Sequence, residues 1–245
     1  MGLSLGTSYT LDLLYKYTED ANGRTLRVEP VDLGSGFSGT AAFGIMPGRY
    51  VGFELAISDF NGFINRGDST VKLFGGTNAE ASIKANVLSL IPSVVITAGL
   101  DKINPYARLG ISIGVLPAMY YRYESYQPTT NPPKDIEAVE RYSAGVALGF
   151  QATGGVTFRL GKVIGLFIEM NFTGISYAPK KSELIRYSLN GEDQLPTMNT
   201  KQRETLYFSK LNLDEEIPDT SPDKKLLESF SLNSLGACFG VVFRF

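Results

Sequence analysis

The last fifteen residues of the chain, 231–245, constrain its fold more than any other segment. Read back from the end, every second residue is apolar, and most residues between them are small. Alternation with a period of two is typical of a β-strand whose two faces differ in chemistry. Chain termini usually fray into water, so a final strand that ends on an aromatic residue predicts pairing within a larger sheet. The alternating residues are Leu235, Ala237, Phe239, Val241, Phe243 and Phe245.

Seven further segments alternate in the same way, so the sequence predicts an all-β protein with eight strands. The connections after the second, fourth and sixth strands are short or compact, and the others are long and polar. The compact connection at 92–104 contains an apolar run. This run could form a short extra strand, which is an alternative to a plain turn. The predicted strands are 3–15, 34–46, 50–58, 78–91, 105–117, 142–158, 163–177 and 231–245. The long connections are 17–33, 59–77, 118–141 and 178–228.

The composition excludes several classes of protein. The lone cysteine, Cys238, excludes an internal disulfide, and a net charge of −2 argues against a nucleic-acid surface. The sequence contains no run of about 18 apolar residues, so it predicts no transmembrane helix. No composition break marks a linker, so we expect one domain over 1–245. No charged leader with an apolar core precedes the first alternating segment, and we expect a mature sequence.

The two faces of the predicted strands decide between a soluble and a membrane protein. One face carries Leu, Ile, Val and Phe, and the other carries Gly, Ser, Ala, Thr and a few charges. An eight-stranded barrel has an interior only just wide enough for side chains, so the small face fits the lumen and the bulky face fits lipid. Backbone groups cannot stay unpaired in hydrocarbon, so the last strand must pair antiparallel with the first. The sequence therefore predicts an antiparallel, up-and-down transmembrane β-barrel.

A soluble barrel or sandwich, such as a lipocalin, is the alternative. It would place the bulky faces around a ligand and the small faces in water. Gly weakens strands, and soluble strands usually present Lys, Glu and Thr to water, so this alternative fits the sequence less well.

Eight strands with short turns at one rim and long loops at the other resemble the barrels of bacterial outer-membrane proteins. The final strand is similar to theirs, and the resemblance implies that Phe243 and Phe245 belong to the signal read by the barrel-assembly machinery. It also implies a multi-pass location in the outer membrane of a diderm bacterium, with short periplasmic turns and with lipid and lipopolysaccharide as partners. The chain resembles small barrels such as the transmembrane domain of outer membrane protein A, and most closely those common in Bacteroidetes-type bacteria.

Six charged residues fall on the predicted lumen faces. An isolated buried ion is very costly, so these charges must pair or be hydrated. We expect Glu54, Lys84, Glu169 and Arg108 to form an ionic cluster that plugs the barrel. Such a cluster resembles the lumenal network of acids and bases in small barrels like outer membrane protein A; a gate for small solutes or ions is the alternative. The six residues are Asp12, Glu54, Lys84, Arg108, Glu169 and Arg244.

The chain contains no histidine. Known small-barrel enzymes of the outer membrane use a histidine in catalysis, and no other side chain has an ordinary pKa near neutrality, so we expect no enzymatic activity. No metal-ligand spacing is present, and the single thiol excludes a cysteine-based metal site. We therefore expect no metal and no cofactor.

Two functions remain open for a monomeric barrel of this kind. The first is a structural or surface-recognition protein that binds an extracellular ligand through its long loops. The second is a narrow channel or transporter for small solutes or ions. The tripeptide Arg66, Gly67 and Asp68 lies in the second long loop and matches an integrin-recognition motif, but a three-residue match is weak and a plain turn is the preferred interpretation.

Overall fold

Strands account for most of the chain. The structure is a computed structural model that describes residues 2–10, 14–19, 26–31, 33, 35–63, 65–67, 78–128, 130–212 and 216–245. Its helical segments are a 3₁₀ turn at Leu195–Thr197 and α1 at Thr200–Arg203. In these ranges, no helix combines the length and the apolar character needed to cross a membrane. The strands are β1 Gly2–Thr10, β2 Leu14–Glu19, β3 Leu26–Val31, β4 Gly36–Ile45, β5 Val51–Gly62, β6 Asn65–Gly67, β7 Asn78–Thr97, β8 Ile103–Gln127, β9 Lys134–Ser143, β10 Ala147–Arg159, β11 Ile164–Tyr177, β12 Lys181–Leu189, β13 Glu192–Asp193, β14 Glu204–Phe208, β15 Asp223–Leu226, β16 Phe230–Ser231 and β17 Ser234–Phe243.

One sheet holds fifteen of the described strands, and β2 and β3 form a separate hairpin. The pairings among the described strands are antiparallel except that between β14 and β15, which is parallel. The prediction of an all-β, antiparallel protein is therefore confirmed. The predicted number of eight strands is wrong for this sheet, because the connections expected to be loops contribute strands of their own.

Eight strands of the sheet correspond to the eight predicted segments, and we call them the eight-strand series. They pair in the order β8, β10, β11, β17, β1, β4, β5 and β7, and β7 also pairs with β8, so each has a paired neighbour on both sides. The predicted antiparallel pairing of the last strand with the first is confirmed, with Leu3 opposite Val241 and Tyr9 opposite Leu235. The other seven strands join β7, β8 or β11, directly or through one another.

The two sides of the eight-strand series differ in exposure. On β8, Leu109 and Ile111 are 62% and 60% exposed, whereas Ser112 is fully buried. On β11, Ile168 is 60% exposed and Glu169 only 5%. The predicted division into a bulky outer face and a small or ionic inner face is confirmed on β4, β5, β8, β10, β11 and β17. We call the buried side the interior.

Strand β7, which corresponds to the fourth predicted segment, is longer than predicted. The sequence predicts a strand at 78–91 followed by a connection at 92–104, whereas β7 continues to Thr97. Pro92 lies within it and pairs with Leu55 of β5, but has no paired residue on β8. Proline has no backbone N–H, so it leaves a gap on one side of a strand without ending it.

The orientation of β7 is opposite to that predicted. The sequence assigned Ala85 and Val87 to the outer face, but they are only 2% and 3% exposed. Side chains alternate along a strand, so Lys84 lies on the outer side rather than in the interior. The prediction is wrong because the bulky outward residues of this strand lie at the end of the predicted segment and beyond it. These residues are Leu88, Leu90, Pro92, Val94 and Ile96.

Strand β8, which corresponds to the fifth predicted segment, 105–117, extends well past that segment to Gln127. A β-bulge in its pairing with β7 leaves Val115 and Leu116 both exposed. After the bulge the alternation changes phase, so that Met119 is buried in the interior. Much of the predicted loop 118–141 is therefore ordered strand.

The long connection 178–228 also contains strands. The second half of β8 pairs with β9, and β12, β14 and β15 follow in order; we call these strands the outer sheet. Strand β12 pairs with β14 at its start, with Lys181 opposite Leu206, and with β9 along most of its length, so β9 joins both strands to the main sheet.

A layer of buried apolar side chains fills the interior at the end away from the short turns. Tyr177 is its largest fully buried member and donates a hydrogen bond through its hydroxyl to the carbonyl of Ala144. We call this cluster the apolar layer. Its members are Leu33, Ala85, Val87, Met119, Ala147, Ile175, Tyr177 and Leu232.

Candidate functional site

An ionic network crosses the interior between three strands that are not neighbours. Arg108 of β8 lies between Glu54 of β5 and Glu169 of β11. Its Nη1 donates to Glu54 Oε1 at 2.5 Å, and its Nη2 forms a salt bridge with Glu169 Oε2. We call these three residues the ionic cluster. The structure thus brings together three of the six charges predicted for the lumen.

Two residues that the sequence prediction did not include donate hydrogen bonds to Glu169 of the ionic cluster. The Tyr106 hydroxyl donates to Glu169 Oε2 at 2.5 Å, and the Cys238 thiol donates to Glu169 Oε1 at 2.9 Å. The Arg108 guanidinium also lies 5.6 Å from the centre of the Tyr106 ring. Tyr106 precedes Arg108 by two residues on the same face of β8, and Cys238 is directly opposite Glu169 in the pairing of β17 with β11. The two-residue spacing from Arg108 would have identified Tyr106 in the sequence, whereas identifying Cys238 requires the register between β17 and β11.

Burial makes the pairing within the ionic cluster obligatory. The side chains of Arg108, Glu54 and Glu169 are 14%, 20% and 5% exposed. Two carboxylates surround one guanidinium, and the hydroxyl and thiol supply the additional donors that Glu169 needs. Removing one partner of such a buried pair leaves an uncompensated charge, which is strongly destabilising.

The other three predicted lumen charges do not join the cluster. Asp12 lies outside the described residues. Lys84 is on the outer side of β7, opposite Tyr120 of β8. Arg244 follows β17 at the rim formed by the short turns, and its backbone N–H donates to the carbonyl of Val163.

The remaining predicted sites lie at the two ends of the fold. Phe243 is the last residue of β17 and pairs with Ile164, and Phe245 is fully exposed beyond it. The backbones of Arg66 and Gly67 belong to β6, which pairs with β7, and Asp68 lies outside the described residues. The assembly signal and the adhesion tripeptide therefore stay predictions.

Two cavities meet at the ionic cluster. The larger has a volume of about 760 Å³ and reaches the rim at Arg49, Arg159 and Arg244; we call it the vestibule. The smaller, of about 60 Å³, is lined by Ser, Thr, Gln and Asn side chains on the other side. Arg108 and Glu169 line both. The ionic cluster thus separates an open vestibule from a small polar chamber, and the apolar layer lies beyond that chamber.

Alternating charges cover one face of the outer sheet. Arg122 pairs with Glu124 and Glu137, and Glu137 also accepts from Arg186. These side chains are largely or partly exposed, so each pair contributes little to stability. Two further salt bridges on this sheet join Arg141 to Glu183 and Lys181 to Glu204.

Aromatic side chains lie on the opposite face of the outer sheet. The Tyr142 ring lies 6.2 Å from that of Tyr207 and 5.9 Å from that of Phe230, measured between ring centres. The Tyr142 hydroxyl donates to Glu140 Oε2 at 3.0 Å. Burial, followed by the charge of Glu140 and the nearby Tyr207, raises the pKa of Tyr142 above its ordinary value. Its hydroxyl therefore remains a neutral donor.

The chemistry available to the ionic cluster is charge compensation and obstruction. Among the described residues, no group of three or more His, Cys, Asp or Glu side chains has the arrangement to hold a metal ion. The Cys238 thiol is buried and donates to the Glu169 carboxylate, so it serves the cluster as a hydrogen-bond donor. No protein-family model matches the chain, and no curated protein matches it either. The geometry of the chain itself therefore carries the functional argument.

Proposed function

We propose that the eight-strand series is a closed transmembrane β-barrel in the outer membrane of a diderm bacterium, and that the protein has a structural or surface-recognition role without enzymatic activity. The observation that carries this proposal is the outward band of bulky apolar side chains around small and ionic interior residues. Each of the eight strands has a neighbour on both sides, as hydrocarbon requires of a spanning sheet. A soluble barrel would bury the bulky face instead.

The height of the apolar band supports a membrane location. On β8, exposed apolar side chains run from Ile103 to Leu116, and beyond them the strand exposes Arg122. The span from 103 to 116 is about 13 steps of about 3.3 Å each, which rise about 30 Å at a tilt of about 45°, the thickness of a bilayer core. The band would face lipid and lipopolysaccharide, with the short turns in the periplasm and the outer sheet outside the cell. Phe243 and Phe245 would serve the barrel-assembly machinery, as in barrels like outer membrane protein A.

The interior supports a plugged barrel. The ionic cluster obstructs the interior once, and the apolar layer obstructs it again with buried apolar side chains. A narrow channel for small solutes or ions is the second candidate. The observation that favours it is the open vestibule followed by a polar chamber.

The outer sheet supports recognition. The outer sheet lies beyond the apolar band, where β8 extends past it. One face of this sheet is charged, and the other holds tyrosine side chains. Aromatic and arginine side chains are the residues that most often dominate binding surfaces. We therefore assign binding of an extracellular ligand to this sheet rather than to unstructured loops.

Membrane embedding can be measured with single tryptophans, because the chain contains none. We expect the fluorescence of Leu109→Trp, in the middle of the band, to be strongly quenched by lipids brominated on their acyl chains. Tyr126→Trp, on the same strand but beyond the band, is the matched control and should be quenched little. Equal quenching at the two positions, or none at Leu109→Trp in protein reconstituted with lipid, would exclude the proposed membrane span.

Recognition is tested separately on the outer sheet. Nanodisc-embedded protein would be screened against bacterial polysaccharides and host matrix proteins. We expect any ligand found to bind more weakly to Arg122→Ala or Tyr207→Ala, and to bind normally to Lys162→Ala at the opposite rim. A ligand unaffected by both outer-sheet variants would contradict the assignment.

A further inference from the structure

We propose that the mouth of the vestibule is a binding site for a phosphate group, formed by the guanidinium groups of Arg159 and Arg244. This site lies at the opposite end of the fold from the outer sheet. It is independent of surface recognition, and it requires only the strand pairings that surround the vestibule.

The backbone brings the two arginines together. Arg159 ends β10 and lies opposite Gly165 of β11, and Gly165 in turn lies opposite Val242 of β17. Strand alternation places Arg159 and Arg244 on the interior side, and both line the vestibule. Gly165, which lies between Arg159 and Val242 on β11, adds no side chain to this row. Backbone bonds from Arg159 to the Lys102 carbonyl and from Arg244 to the Val163 carbonyl fix both positions.

Neither arginine is neutralised by the protein. The salt bridges among the described residues do not include either guanidinium. Burial, and then repulsion from Arg159, lower the pKa of Arg244 below its ordinary value. Two guanidinium groups held close together without an acid are stabilised by an anion that both can bind.

The other charges of the vestibule strengthen its preference for anions. Its two glutamates, Glu54 and Glu169, are already engaged by Arg108. The vestibule is also lined by one further acid, Asp101. Arg49 is a third cation at its mouth, beside Arg159 and Arg244. Arg49 is fixed by hydrogen bonds from its Nε and Nη2 to the Gly99 carbonyl. The mouth therefore has an excess of positive charge.

Phosphate fits this arrangement better than a single carboxylate. Its oxygens can accept paired hydrogen bonds from two guanidinium groups at once, and arginine is the preferred residue for such bidentate recognition. The vestibule volume of about 760 Å³ accommodates a phosphorylated small molecule or a lipid headgroup. The phosphate could come from either source, and the experiment must separate them.

Two binding assays separate the sources. In the first, purified protein in a maltoside detergent is titrated with inorganic phosphate and glycerol phosphate by calorimetry. In the second, the same protein is titrated with mixed micelles containing phosphatidylglycerol or, as a phosphate-free comparison, a neutral glycolipid. Saturable binding in the first assay assigns a soluble phosphorylated ligand, and binding to phosphatidylglycerol alone assigns the lipid headgroup.

Charge-matched variants decide whether the site is specific. We expect Arg159→Gln with Arg244→Gln to weaken binding by at least about tenfold, because charge-assisted hydrogen bonds to both groups are lost. Lys102→Gln with Lys162→Gln removes two exposed cations from the same rim but outside the vestibule lining, and should leave binding nearly unchanged. Absence of binding in both assays, or equal loss in the two variants, would overturn the proposal. Quenching of Leu109→Trp would be unaffected by that outcome, so membrane embedding would stand or fall separately.

Discussion

Replacing Arg108 by methionine is expected to lower the free energy of unfolding by about 3–5 kcal/mol, the range found when one partner of a buried ion pair is removed. Glu54 and Glu169 would then face each other across the interior without the guanidinium that joins them. The hydroxyl and thiol bonded to Glu169 cannot neutralise two carboxylates. Urea unfolding of the reconstituted protein, followed by circular dichroism and by the heat-dependent gel mobility typical of small barrels, measures the change.

Two comparisons separate the buried charge from a general effect of losing an arginine. Arg122→Met removes an arginine whose side chain is 50% exposed on the outer sheet, and should cost less than about 1 kcal/mol. Adding Glu54→Gln and Glu169→Gln to Arg108→Met removes the uncompensated charges and should recover most of the lost stability. If Arg108→Met were as stable as Arg122→Met, the ionic cluster would not be a structural element of the interior.

The strand faces were predictable because the residues of the eight-strand series obey one simple rule over most of their length. Over 51–57 of β5, bulky outward side chains alternate with small or charged inward ones, so period two alone identifies the outer face. The pairing of the chain ends followed from the need to satisfy backbone groups. These arguments use local pattern and a general physical constraint, and neither requires knowledge of register.

Strand ends and register were not predictable in the same way. Pro92 reads as the end of a strand, yet the strand passes through it because only one of its two neighbours loses a hydrogen bond. The bulge near Val115 shifts the phase of β8 and allows it to continue into the outer sheet. Once the span of β7 was placed too early, Lys84 was assigned to the wrong side. A one-residue error in phase reverses every side chain of a strand.

The ionic cluster was half visible in the sequence. Glu54, Arg108 and Glu169 each interrupt a face of small residues, which marks them as interior charges wherever the strands pair. Their mutual contacts, and the role of Cys238, depend on the relative height of strands that are distant in the chain. The outer sheet was hidden for a different reason: its strands are polar on one face and aromatic on the other, so they do not show the contrast between small and bulky residues found in the eight-strand series.

The second large effect is expected in electrical recordings, because the proposed plug has two parts, the ionic cluster and the apolar layer. We expect no steady openings from the native protein in a planar bilayer. Neutralising the cluster by Glu54→Ala, Arg108→Ala and Glu169→Ala should still give none, since the apolar layer remains. Met119→Ala with Leu232→Ala should also give none, since the cluster remains. Only the combination is expected to conduct, because flow through two barriers in series requires both to be removed.

A thiol reaction reports on the cluster alone. Cys238 is the single cysteine of the chain and lies buried beside Glu169, so a charged methanethiosulfonate reagent should modify it slowly in the native protein. Neutralising the cluster should speed this reaction several-fold even though the bilayer stays silent, because the vestibule then reaches the thiol. Lys84→Ala is the control for both measurements and should change neither, since that side chain lies on the outer side of β7. Openings in the native protein would favour the channel, and openings in the cluster variant alone would mean that the apolar layer is no barrier.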